Sequence, residues 1–227
     1  MFASSALVAT PRGPLFVRRA ADSAAEPALF VHGLGGESLD WADVANLLAG
    51  RVDAYALDLP GFGESPPASD RDFSIDGHAR AVVSAICAIG RGRVHLVGNS
   101  LGGAVATRVA AEHPELVRSL ALLSPALPDL RPRWPAWELL LTLLPVIGPH
   151  LVTSALHGDP ERTARQVFAT CYGYPAAVTG QRWTAELEAI RRRADLAHGS
   201  QVYCGSLRSL VAAYLYGGRR RLWRQAA

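Results

Sequence analysis

The sequence predicts an α/β fold: a mostly parallel central sheet flanked by helices, with a helical cap inserted late in the chain. Three observations carry this reading. The runs in PALFVHGLGG, VDAYALDLPG and RVHLVGNS are continuously apolar, which marks strands buried on both faces of a sheet rather than strands with one wet face. Segments of helical periodicity separate them, so neighbouring strands run parallel through right-handed crossovers. At 227 residues the chain can bury a sizeable core within one domain.

The elements follow in order. SALVAT and PLFVRR are β-prone runs split by the turn signal PRG, and so form a hairpin. PALFV is the third strand and ends in glycines. LDWADVANLLAG repeats apolar residues at helical spacing, at Leu39, Val44, Leu47 and Leu48, and stops at Gly50. The strand in VDAYALDLPGFGES gives way to a Pro and Gly turn. FSIDGHARAVVSAICAIG is a helix with Ser74 as its N-cap and Asp76 favourably placed in the positive first turn. RVHLVGNS is a strand, LGGAVATRVAAEHPE a helix that ends at Pro114, and RSLALLSPAL the sixth strand. Past residue 127 the rhythm breaks, and the chain turns Pro-punctuated, Trp-rich and helical in pattern. The expected organisation is a core over residues 1–127 and a helical cap over residues 128–227, with no internal repeat.

Composition excludes several function classes. Charged residues make up 19% of the chain and hydrophobic residues 49%, which argues against disordered, collagen-like or coiled-coil architecture. The net charge is +3, and all 23 basic residues are arginine. They are scattered: only 191–193 and 219–221 form runs, and neither interleaves with aromatics as a single-strand nucleic-acid groove requires. No nucleic-acid partner is expected. The 3 cysteines, Cys87, Cys171 and Cys204, are an odd count at spacings unlike a metal knuckle, so no metal is expected. Cys87, in AVVSAICAIG, is expected to pack as a small hydrophobe. Free thiols suit a reducing cytoplasm, and MFASSALVATPRG lacks the charged and apolar regions of a secretory signal. WELLLTLLPVIGPHLV, the longest apolar segment, is broken by Glu138, prolines and His150, so no membrane span is expected.

The stretch that bears chemistry is VHLVGNSLGG, which contains G-x-S-x-G as Gly98, Asn99, Ser100, Leu101 and Gly102 between a strand and a helix. A sharp turn there would hold the serine in a strained backbone conformation. Flanking glycines would remove the Cβ atoms that clash, and Oγ would project above the sheet. The helix that follows aims its free N–H groups at the same spot, and Gly103 lets it approach the sheet closely. An incidental serine in a glycine-rich turn is the plainer account of the pentapeptide alone; the strand before it and the amphipathic helix after it argue against that account. A second element is the loop His32 to Gly36, which follows the third strand and should lie beside this turn. With the N–H of Leu101, that of Leu34 would make a two-donor oxyanion hole. His32 is expected to shape the loop by hydrogen bonding rather than to act as a base.

These segments resemble the α/β-hydrolase fold enzymes, in the cap-bearing branch with esterases, cofactor-free peroxidases and C–C bond hydrolases. The resemblance covers roughly Ala28 to Leu127 through FVHGLGG, LDLPGFGES, VGNSLGG and HPELVRSLALLSPA. It implies that Ser100 is the nucleophile, that the Leu34 and Leu101 amides are the oxyanion donors, and that no metal or organic cofactor is used. In this family an acid and then a histidine follow the elbow serine on later strands. Here GGRRRLWRQAA closes the sequence instead, so the C-terminal strands and both partner residues are expected to be missing. Asp129, in LSPALPDLRP, stands where a minority of members keep their acid, although a capping or solvated aspartate is the plainer reading. Among the histidines, His95 is expected to be buried in sheet packing, His113 to end the elbow helix on its far side, and His78 to face outward from a surface helix. That leaves His150, His157 and His198 on the cap, with nothing to fix them near Ser100 as a general base requires.

The expected function is hydrolysis of an ester or related acyl bond through a Ser100 acyl-enzyme. Trp134, Trp137 and the leucines around them in the cap favour an apolar small-molecule substrate. The alternatives are a C–C bond hydrolase of ring-cleavage products, whose elbow VGNSLGG resembles, and a ligand-binding member of the fold that keeps the pocket without the triad.

Overall fold

The computed structural model describes residues 2–20, 22–127, 141–174, 178, 180–216 and 225. Its strands are Ser4–Val8 (β1), Leu15–Arg19 (β2), Pro27–Val31 (β3), Asp53–Leu57 (β4), Val94–Asn99 (β5) and Val117–Leu123 (β6). Its helices are Ala42–Leu47 (α1), Ile75–Ile89 (α2), Leu101–Glu112 (α3), Ile147–Leu156 (α4), Pro160–Cys171 (α5), Gln181–Asp195 (α6) and Gly199–Tyr216 (α7). The strands form one mixed sheet in the order β1-β2-β4-β3-β5-β6. β1 and β2 make the expected antiparallel hairpin and β2 runs antiparallel to β4, while β4, β3, β5 and β6 are parallel to one another.

Position in the sheet explains burial. β3 and β4 lie inside it, and all their residues are buried, as continuous apolar runs require. On one face Ala28 and Phe30 of β3 join Ala54 and Ala56 of β4 beneath Trp41 and Ala45, with the Phe30 and Trp41 rings 5.2 Å apart. Leu29 and Val31 turn to the other face by strand alternation, and there α3 packs on β3, β5 and β6. The outer strand β6 exposes Arg118, Ser119, Ala121 and Leu123.

His95 departs from its expected burial: its side chain is 30% exposed. It points, with Val97 and Asn99, to the face that α1 and the 3-10 turn Ser38–Trp41 cover over β3 and β4, but whose β6 residues lie open. The ring bonds Ser119 Oγ through Nδ1 at 2.7 Å and Glu26 through Nε2 at 3.0 Å.

α2 starts where the sequence puts it, because Ser74 Oγ accepts the Gly77 N–H at 3.0 Å, and it stops at Gly90 with φ of 66°. Two residues of this helix correct the sequence reading. His78 is fully buried, since it lies three positions after Ile75 and so shares the inward stripe of Ile75, Ala79, Val82 and Ile86. Cys87 is exposed, one position past that stripe and about 100° around the helix. Arg108 of α3, only 5% exposed at its side chain, pairs with Asp76 of α2 at 2.6 Å and joins the two helices.

The described chain divides into two units, Met1–Trp134 with Gly205–Ala227, and Pro135–Cys204. The described elements of the second are helices. Its α5 is capped by Asp159, which accepts the Glu161 N–H at 3.0 Å ahead of Pro160 at the first turn. Ala164 and Phe168 of α5 pack with Ile190, Trp183 and Leu187 of α6. No described helix is long and apolar enough to cross a membrane.

One polar cluster in the first unit gave no signal in the sequence. The Asp53 carboxylate, with no exposure at its side chain, receives Arg19 Nε at 2.8 Å, Arg19 Nη2 at 2.6 Å and the Tyr55 hydroxyl at 2.9 Å. Burial and the bond to Asp53 push the Tyr55 hydroxyl up to about 12. Replacing Arg19 by Met would keep apolar packing but leave a buried anion with Tyr55 and the more distant Arg91, at 3.8 Å. Arg19→Met is therefore expected to lower the unfolding free energy by about 3 kcal/mol in urea titrations. A loss under about 1 kcal/mol would contradict this account.

Candidate active site

The site grows from the junction of β5 and α3. Ser100 sits there with φ of 50° and ψ of −117°, a conformation that costs a residue with a Cβ roughly 1–3 kcal/mol. Its surroundings hold it in place. Its N–H donates to Leu123 O at 3.2 Å, and its carbonyl accepts the N–H groups of Gly103 at 3.0 Å, Ala104 at 3.2 Å and Ala126 at 2.8 Å. The Asn99 amide adds a bond from Nδ2 to the same Leu123 carbonyl at 3.1 Å. The exit of β6 therefore clamps the turn, which sequence reading missed because nothing local signals a partner so far along the chain.

The glycines serve close approach. A Cβ on Gly98 would strike the Gly102 carbonyl, and one on Gly102 would strike the carbonyls of Val31 and His32. One on Gly103 would lie 2.7 Å from Pro125 Cβ. This brings the end of β3 directly against the first turn of α3.

From β3 the chain enters the loop 32–36. His32 is 1% exposed, and its Nε2 accepts the Leu59 N–H at 3.0 Å while Nδ1 lies 2.7 Å from Gly33 O, which puts the proton on Nδ1. Both nitrogens are committed, so His32 shapes the loop as expected and offers no base. Gly36 N–H closes a turn onto Gly33 O at 3.1 Å, with Gly35 at φ of 73° where such a turn needs glycine. A Cβ on Gly33 would lie 3.2 Å from Ser100 Cβ and 3.1 Å from Asn99 Oδ1, so this loop abuts the serine.

Below the loop, buried Asp58 accepts the N–H groups of Ser38 at 2.5 Å and Glu64 at 2.8 Å. Ser65 Oγ donates to Asp58 O at 2.7 Å and accepts the Phe16 N–H at 2.8 Å. The LDLPGFGES segment thus braces the His32 loop from beneath.

The structure brings together Gly98, Asn99, Ser100, Leu101 and Gly102 with the loop that carries Leu34. Among the described residues, no backbone carbonyl accepts the N–H of Leu34 or Leu101. The Leu101 amide is also a first-turn donor of α3, where the helix dipole favours negative charge.

Asp129 lies outside the described residues. No described histidine of the unit that holds Ser100 is available to it. His78 is fully buried, and His95 lies five residues down β5, about 16 Å away. His113 follows the far end of α3 beside Glu115, at 3.2 Å. His150, His157 and His198 belong to the other unit. Among the described residues no group of three or more His, Cys, Asp or Glu is placed to hold a metal.

A family model described as the alpha/beta hydrolase fold matches residues 27–170. The chain belongs to that family. This hydrolase-fold chain is 38% identical over 100 residues to the dihydrolipoyllysine-residue acetyltransferase component of the acetoin cleaving system of Pseudomonas putida, across 44% of this chain and 27% of that protein. It is 39% identical over 92 residues to the pimeloyl-[acyl-carrier protein] methyl ester esterase of Aeromonas hydrophila, across 40% of this chain and 35% of the esterase. The solved structure of a membrane phospholipase A, a bacterial virulence factor, superposes on 96% of this chain and 65% of its own, with a TM-score of 0.72 and 27% identity. The chain thus spans about a quarter to a third of the length of those two curated relatives.

The packing of the turn gives a test. Gly102→Ala is expected to cost about 3 kcal/mol, because the new methyl meets fixed backbone carbonyls rather than a flexible side chain. Gly173→Ala, with open space around it, is expected to stay within about 0.5 kcal/mol of the parent. Thermal unfolding of the two variants reads the difference, and equal melting temperatures would refute the close approach.

Proposed function

We propose that this chain is the nucleophile-bearing part of a serine hydrolase that cleaves an ester or related acyl bond of an apolar small molecule. The observation that carries the reading is the constrained backbone of Ser100, next to the loop 32–36 and at the start of α3. In this reading Ser100 Oγ attacks the substrate carbonyl carbon and its proton passes to a general base. The carbonyl electron pair moves to oxygen, where the Leu34 and Leu101 amides hold the negative charge. Collapse of the tetrahedral species expels the alcohol, which takes up the proton, and water then releases the acid from the acyl-enzyme. The preference for apolar acyl groups rests on the sequence expectation of a cap rich in Trp and Leu after residue 127. The names of the esterase and phospholipase relatives support the acyl-bond chemistry.

A second reading, a ligand-binding member of the fold without turnover, draws support from the histidines. Among the described residues of the first unit, none is free to serve Ser100 as a base. Loss of a triad member typically removes about 10⁴ to 10⁶ of turnover and leaves the residual contribution of binding and oxyanion stabilisation.

A serine-reactive fluorophosphonate separates the two readings. Mass mapping is expected to find the label on Ser100 and to lose it in Ser100→Ala, whereas ligand binding without labelling selects the binding reading. In a panel of p-nitrophenyl esters, longer apolar acyl chains are expected to be cleaved faster than charged ones. The reverse order would overturn the substrate class.

A further inference from the structure

The first turn of α2 is completed from a distant part of the chain. Ile75 N–H, one of the donors a helix leaves unsatisfied at its start, bonds Ser209 Oγ of α7 at 2.9 Å. Three residues earlier on α7, Ser206 Oγ lies 2.9 Å from His78 Nε2. One residue before that, Gly205 fits against Phe73, where a Cβ would come within 3.3 Å of the ring. Small residues at 205, 206 and 209 thus bring α7 onto the start of α2. Gly205 to Tyr216 belong to the same unit as α2.

His78 is the polar centre of this contact. Its ring has no exposure, and its Nδ1 is buried without a hydrogen-bond partner among the described residues. Phe62 stands between it and the loop beside Ser100: the Phe62 ring is 6.0 Å from His78 and 5.4 Å, edge-on, from His32. The stack His32, Phe62 and His78 therefore links the α7 contact to the loop that carries Leu34.

We infer that His78 is an acid-released latch: its uncharged ring holds the C-terminal part of α7 against the start of α2, and its protonation lets that part go. The doubly protonated ring would present an N–H at Nδ1 that no described atom accepts, inside an apolar and aromatic enclosure. The titratable groups acting on the ring come from three neighbouring segments. His32, after β3, and Arg12, in the hairpin turn, disfavour its cationic form, and Asp72, just before α2, favours it. From α7 it meets the uncharged hydroxyl of Ser206.

Burial above all, and then His32, holds the imidazole down to about 3 from its ordinary 6.5. The sign follows directly. The docked state keeps the ring neutral, whereas the undocked state takes up a proton below pH 6.5. Docking is thus at full strength above pH 6.5 and weakens as pH falls from there toward 3. Between these values the opening equilibrium should rise about tenfold for each unit by which pH falls.

Hydrogen exchange of the whole chain tests this, after correction for the intrinsic pH dependence of exchange. Between pH 6.5 and about pH 4.5, protection of amides 205–214 and of Ile75 is expected to fall about tenfold per unit. The Leu59 amide, bonded to His32, is expected to follow. His78→Gln, which keeps a side-chain nitrogen for Ser206 but cannot titrate, is expected to show protection independent of pH. Ser206→Ala should weaken protection at every pH and keep the slope. Flat protection in the parent, or the parent slope persisting in His78→Gln, would overturn the latch. Should the Gln variant not fold, the imidazole nitrogen shifts of the parent decide: they stay neutral in the docked state if the latch exists, and a native titration near 6.5 refutes it.

Discussion

The structure depends on one steric constraint: the turn from β5 into α3 fits only because its backbone approaches two neighbouring segments more closely than a side chain allows. Gly98 and Gly102 lie against carbonyl groups, Gly103 against Pro125, and Ser100 is left as the residue that carries a Cβ in a left-handed conformation. Such strain persists only where surrounding bonds over-determine it. Here the Leu123 carbonyl and the Ala126 amide supply those bonds from the end of β6. A sheet that failed to add β6 would free the turn to relax, so the geometry of Ser100 is a property of the whole parallel half of the sheet.

The parts of this arrangement that were legible in the sequence are those with local causes. The strand before Ser100, the helix after it, the cap at Ser74 and the loop after β3 all follow from apolar runs, turn chemistry and glycine spacing, and the structure contains them. Residues whose environment is set by distant partners were misread. His78 looked outward-facing because the helix α2 is apolar nearly all round, and its inner stripe is defined by what packs on it. His95 looked buried because its strand is central in sequence pattern, yet its face of β5 adjoins the open residues of β6. The Arg19, Asp53 and Tyr55 cluster joins β2 and β4, which pair only after the sheet forms, and no short motif announces it.

Ion pairs and the Ser100 turn occupy different parts of the first unit. The ion pairs of Arg19 and Arg108 sit away from the Ser100 turn, where Asp53 and Asp76 receive them. At the turn itself the polar groups offered are backbone amides and the dipole of α3, and His32 is locked in one tautomer by Leu59 and Gly33. An environment of fixed dipoles needs no rearrangement when negative charge appears, which is the condition for oxyanion stabilisation.

The bond between Ile75 and Ser209 spans 134 positions of the chain. During synthesis at about 5–20 residues per second, α2 would leave the ribosome well before the hydroxyl that finishes its first turn exists. Ser74 caps the turn locally, but the Ile75 N–H must wait for Ser209, and contacts of such long range are slow to close. Completion of the first turn of α2 is thus tied to a residue made long after the helix itself.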